Sequence, residues 1–207
     1  MMCNSHDDFK DFKFLEDTDG VVIGKIPKLL QDNLVALVEK YRKVKDSPLG
    51  YLRHHVNYGK NSYQISLTPN DLYESFLMGY LNNLGETYVH VVNKIDIEKV
   101  RKQVIVTMLQ GLEGGIGVWI NYGYQGDENN WHSHKGSLSG VIYINNPKEV
   151  KTNFRNDKSF IGNTGDIIIF KSDTEHCVDK LEEEQERITI AFNMDFIGVN
   201  EQGFTIE

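Results

Sequence analysis

No stretch of this 207-residue chain is apolar for long enough to span a bilayer as a helix, so a soluble protein without membrane contact is expected. Met1 to Lys13 is polar and lacks the apolar centre that a secretion signal carries. Cysteine is scarce, with Cys3 in that polar tail and Cys177 directly after His176. No disulfide framework follows from such a pair, and a reducing, cytoplasmic compartment fits. Basic excess is missing too. The formal net charge is −8, a field that repels phosphate backbones and argues against general nucleic-acid binding. The densest acidic run, Glu182 to Glu186, reads as a solvated hairpin turn. No internal repeat or low-complexity linker divides the chain. What is present is a globular balance, 40% hydrophobic and 11% aromatic, which suits one domain over residues 1–207.

The pattern changes along the chain. Residues 1–20 read as a frayed or edge segment. Pro27 opens a helical stretch in which Leu29, Leu30, Leu34, Leu37 and Val38 recur at helical spacing to about Lys45, where Ser47-Pro48-Leu49-Gly50 breaks it. Thr68-Pro69-Asn70-Asp71 starts a second helix, expected to end near Gly85, with a further helical or mixed segment from Thr87 to Val92. Residues 1–95 thus read as a mostly helical support region. After Lys94 come short β-branched and aromatic runs: Val104 to Leu109, Gly117 to Tyr122, Leu138 to Ile144, Gly165 to Phe170 and Arg187 to Asn193. The fold class expected is α+β with a mainly β core over 96–200, a sandwich or jelly roll with a helical layer on one side.

Trp131-His132-Ser133-His134 carries the strongest chemical signal. In a strand, His132 and His134 point to the same face. His176 lies 44 residues beyond His132 and follows a buried-looking strand by a short turn, which returns it beside the first pair. Three neutral nitrogens on one side of an ion leave the other side open to small molecules. The plain alternatives are surface histidines on an edge strand and a turn histidine bonded to backbone. Arg187 leads an alternating run in which Arg187, Thr189, Ala191 and Asn193 share one face. It offers a rigid fork for a carboxylate, to which Thr189 can add a hydroxyl, or it pairs with the acidic run before it.

From Trp119 to Asn193 the chain resembles the iron(II)- and 2-oxoglutarate-dependent oxygenases, within them a small branch found in bacteria and phages. The matching elements, in order, are His132-Ser133-His134, Ser139-Gly140-Val141-Ile142-Tyr143, Gly165-Asp166-Ile167-Ile168-Ile169-Phe170, His176, Arg187-Ile188-Thr189 and Phe192-Asn193. The resemblance implies a double-stranded β-helix, a cupin-like jelly-roll barrel, with Fe(II) held by His132 and His176. His134 stands where most relatives carry Asp or Glu. It is expected as the third ligand, with a place behind the ligands as the alternative. The implied cosubstrates are 2-oxoglutarate and dioxygen. The oxo acid would chelate the metal and set its far carboxylate on Arg187 and Thr189, with Asn121 and Tyr143 as weaker candidates for the same pocket. Oxidative decarboxylation to succinate and carbon dioxide, coupled to hydroxylation of a C–H bond, is the implied reaction. Its substrate, a small molecule or a peptidyl residue, is not written in the sequence, and neither is the oligomeric state. Trp119, Trp131 and Phe170 could wall such a pocket or simply pack.

Three rivals remain at this stage. A cupin-like three-histidine metalloenzyme would work without 2-oxoglutarate and would not need Arg187. A non-enzymatic jelly-roll binding or structural protein would bind no iron. A zinc hydrolase would also use three histidines.

Overall fold

The computed structural model describes residues 9, 11–15, 20–42, 52–53, 62–94, 96–98, 100, 105–108, 117–148, 150–155, 157–182 and 184–197. In chain order its elements are β1 (Lys13–Phe14), β2 (Val22–Lys25), α1 (Lys28–Arg42), β3 (Leu52–Arg53), β4 (Tyr63–Ser66), α2 (Pro69–Glu74), α3 (Leu77–Asn93), β5 (Ile105–Met108), β6 (Val118–Gly123), β7 (Asn129–His132), β8 (Leu138–Asn145), β9 (Thr152–Phe154), β10 (Lys158–Phe160), β11 (Asp166–Lys171), β12 (His176–Val178) and β13 (Arg187–Ile197).

Two antiparallel sheets result. The larger runs β1-β2-β11-β8-β13-β6-β4-β3, with β5 continuing along the far part of β13, and the smaller runs β10-β9-β12-β7. From β6 to β13 the chain passes back and forth between them, with β6, β8, β11 and β13 in the large sheet and β7, β9, β10 and β12 in the small one. That weave is the double-stranded β-helix anticipated from the sequence.

Side-chain alternation separates two environments in the large sheet. Ile188, Ile190 and Phe192 of β13, Ile120 and Tyr122 of β6, and Ile167 and Ile169 of β11 join one hydrophobic cluster with Leu30, Leu34, Leu37 and Val38 of α1 and Leu77, Leu81, Leu84 and Tyr88 of α3. Ile168 and Phe170 of β11 turn the other way and form a second cluster with Tyr143 and Phe154. An unbroken Ile-Ile-Ile-Phe run is the expected result when both faces of a strand are covered. Each such side chain contributes about 1.5–3 kcal/mol by leaving water.

Helix signals were mostly legible. Thr68 caps α2 through a reciprocal pair with Asp71, whose carboxylate also accepts from Lys40 and Tyr41. α3 does not stop at Gly85 but continues to Asn93. One interior glycine costs only about 1 kcal/mol, and Leu84, Tyr88 and Val89 carry the apolar stripe straight past it. The first 95 residues are also less purely helical than their pattern suggests. The three helices among the described residues lie there, but β1 to β4 lie there too, with β2 pairing β11 and β4 pairing β6. These strands are short, so periodicity gave little sign of them. The expected break at Ser47 to Gly50 and the tail with Cys3 lie outside the described residues. No helix among the described residues is long and apolar enough to cross a membrane.

Candidate metal centre

His132 ends β7 and His176 begins β12, and the two are direct partners across that antiparallel pairing. Their ring centroids are 4.2 Å apart. His134 lies just past the end of β7, so strand alternation is not what places it. Its backbone N–H donates to the Ser172 carbonyl at 2.7 Å, and this brings its ring to 4.9 Å from His132 and 5.1 Å from His176. One nitrogen from each ring lies within 4.8 Å of those from the other two. The distant stretches expected to meet do meet.

The proton positions suit ligation. The Asn130 carbonyl, 2.6 Å from His132 Nδ1, and the Thr174 carbonyl, 2.9 Å from His176 Nδ1, can only accept, so both Nδ1 atoms carry the hydrogen. Nε2 of each ring is thereby left with its lone pair as an acceptor, the arrangement in which outer partners fix the tautomer of a ligating imidazole. On His132 that lone pair accepts from the Asn129 amide at 3.3 Å. Burial, reinforced by the neighbouring His132, pushes His134 down to about 4. Burial pushes His176 down to about 3, against the opposing bond to Thr174. Both are neutral imidazoles at physiological pH. Phe170 closes one side of the His176 ring at 4.6 Å, and Phe154 stands 6.2 Å away.

A second polar group lies on the same inward side of the large sheet. Thr189 pairs in register with Asn121 on one side and Tyr143 on the other, and Arg187 is two residues along β13. The Asn121 amide donates to Thr189 Oγ1 at 3.1 Å while its carbonyl accepts from Gln64 at 2.6 Å. Thr189 therefore still has its own O–H to donate. Tyr143 bonds Thr152 at 2.7 Å and sets its ring 5.9 Å from the Arg187 guanidinium. Asn121 and Tyr143 thus position Thr189 and Arg187.

Arg187 is 7% exposed, and its Nε donates to the Asn146 side-chain oxygen at 3.0 Å. No carboxylate pairs with it among the described residues. The neighbouring Glu186, a natural partner in sequence, is instead held by Arg42 and Tyr124, so that end of the acidic run is not a solvated turn. A guanidinium buried without a carboxylate beside it is costly to desolvate.

Sequence reasoning missed Asn146, Gln64, Thr152, Ser172 and the orienting carbonyls of Asn130 and Thr174. Backbone carbonyls have no sequence signature, and the others come from segments without motifs.

The sequence matches no protein-family model and no curated protein. Solved structures match the fold. A 2OG-Fe(II) oxygenase family oxidoreductase from Burkholderia pseudomallei is 13% identical, with a TM-score of 0.50 over 88% of this chain and 93% of the other. A Trichoplax adhaerens prolyl hydroxylase in complex with a hypoxia inducible factor peptide fragment is 11% identical, with a TM-score of 0.54 over 88% and 85%. HygX from Streptomyces hygroscopicus, with nickel and 2-oxoglutarate bound, is 9% identical, with a TM-score of 0.54 over 86% and 84%. The chain has the fold that these 2-oxoglutarate oxygenases share.

Proposed function

We propose that this protein is an Fe(II)- and 2-oxoglutarate-dependent oxygenase that hydroxylates a C–H bond of its substrate. One conjunction carries the reading. Three imidazoles within ligating distance of one another, His176 buried and His132 and His134 half-buried, occupy the same barrel as a buried guanidinium that has no carboxylate partner among the described residues.

The donor set fits the metal. His132 and His176 present Nε2 lone pairs with their other ring nitrogens tied to carbonyls, and His134 completes three donors on one side of a site. Three neutral ligands leave the charge of a divalent ion uncompensated. Together with Arg187 that makes three positive charges, which favours a dianionic ligand over a neutral one. An oxo acid with a second carboxylate answers both needs. Arg187 would take the far carboxylate in its fork, the Thr189 hydroxyl would add a donor, and Asn121 would hold that hydroxyl in place. When bound, iron and 2-oxoglutarate would supply the oxidation, with dioxygen consumed and succinate and carbon dioxide released. Phe154 and Phe170 would exclude water from the His176 side.

The fold likeness supports this reading. One neighbour carries nickel and 2-oxoglutarate and another a peptide fragment, so an oxo acid and a peptidyl substrate both suit the scaffold. The second reading, a three-histidine metalloenzyme of cupin type without the oxo acid, draws on His134, an imidazole where a carboxylate would balance charge better. Anaerobic calorimetry with Fe(II) and then 2-oxoglutarate tests both. Ordered binding of metal and then acid, with succinate released once air is admitted, supports the oxygenase. Metal binding with no affinity for 2-oxoglutarate supports the rival. No binding of Fe(II) at all removes both.

A further inference from the structure

Trp119 carries a buried polar atom that the fold does not use. Its indole Nε1 is shielded from solvent and has no hydrogen-bond partner among the described residues. Leaving such a donor unpaired costs about 1–3 kcal/mol. Native folds rarely leave one without a reason.

Its position supplies the reason. Trp119 lies on β6 two residues before Asn121, so both side chains leave the same face of the large sheet, away from Ile120 and Tyr122. Asn121 from that face reaches Thr189. The Trp119 ring lies 6.4 Å from the His134 ring. The indole therefore stands at the metal end of the wall whose other end is Arg187. Its register partners across the sheet are the small Ala191 of β13 and Ser66 of β4, neither of which takes the N–H.

We propose that the Trp119 indole N–H binds the oxo acid by donating to the carboxylate oxygen at its metal-chelating end. The assignment rests on the oxygenase reading above. It divides the dianion between two sets of donors, with Arg187 and Thr189 taking the far carboxylate and Trp119 the near one. A hydrogen bond there also offsets part of the negative charge brought to a metal whose protein ligands are all neutral. Trp131 has no share in this. It is exposed and stacks under the Arg155 guanidinium at 4.2 Å.

The test uses the full chain, ¹⁵N-labelled and loaded with Zn(II) as a diamagnetic ion. Its two tryptophans give two indole N–H signals, and Trp119→Phe removes and so assigns one. On titration with 2-oxoglutarate the Trp119 signal should move downfield and exchange more slowly with water, while the Trp131 signal stays in place. Trp119→Phe keeps the aromatic packing and should weaken 2-oxoglutarate binding about tenfold, with Zn(II) affinity unchanged. Calorimetric binding of 2-oxoglutarate to the wild-type chain with an unmoved Trp119 signal overturns this assignment and leaves the oxygenase reading standing. Absence of 2-oxoglutarate binding to the wild-type, metal-loaded chain overturns that reading and this assignment with it.

Discussion

His132 and His176 face each other directly across the β7–β12 pairing, and the backbone carbonyls of Asn130 and Thr174 hold the two rings with Nδ1 protonated. His134 is held less directly, by its backbone bond to Ser172.

That difference predicts unequal consequences of mutation. His176→Ala and His132→Ala should each abolish tight Fe(II) binding. His134→Asp should retain it and tighten it severalfold, because a carboxylate at that place balances charge that three imidazoles leave uncompensated. Anaerobic Fe(II) titration of the three variants decides this, and a His134→Asp protein that binds no iron would show that His134 ligates in a way only an imidazole can.

Arg187 should govern the oxo acid and not the metal. Arg187→Ala is expected to weaken 2-oxoglutarate binding by about a hundredfold, and Arg187→Lys by about tenfold because the charge stays while the fork is lost. Calorimetry on metal-loaded protein measures both. Equal affinity in all three proteins would place the acid elsewhere.

Acid should destabilise the metal-free protein through its buried imidazoles. His134 and His176 have folded values near 4 and 3, below the ordinary value of 6.5. Between these limits the unfolded chain binds protons that the folded chain refuses, so stability is complete above pH 6.5 and declines as pH falls toward the folded values. Thermal melts of metal-free protein from pH 7.5 to about 5 should show a falling Tm, and Zn(II) should raise Tm most at the upper end, where protons compete least. A His134→Leu, His176→Leu double variant whose Tm falls just as steeply would assign the acid sensitivity to other groups.

Gly162 offers a structural check on the wall beneath Arg187. A Cβ there would come within 2.3 Å of the Tyr143 ring. Gly162→Ala should therefore cost about 1–3 kcal/mol, and should weaken 2-oxoglutarate binding by moving the ring against which the guanidinium sits. Urea unfolding reads the first effect and calorimetry the second; unchanged values in both would mean that the β10–β11 connection yields freely.

The residues by themselves determined the strand-rich second half, the polar inward face led by Arg187 and Thr189, and the three histidines as one group. Those properties are local: alternation in Arg187 to Asn193, the doubly apolar run Ile167 to Phe170, and imidazoles whose chemistry is the same wherever they lie. Only the tertiary structure decided that β2 and β4 join the large sheet, that α3 passes Gly85, that Glu186 is taken by Arg42, and that Asn146, Asn121 and Gln64 gather around Arg187 and Thr189. Strands of four residues hold too few positions for a period to register, and a partner 57 residues away, as Gln64 is from Asn121, leaves no trace in local sequence. Burial made the rest of the distinction: Arg187 without a carboxylate and Trp119 without an acceptor are facts about surroundings, and surroundings exist only once the chain has folded.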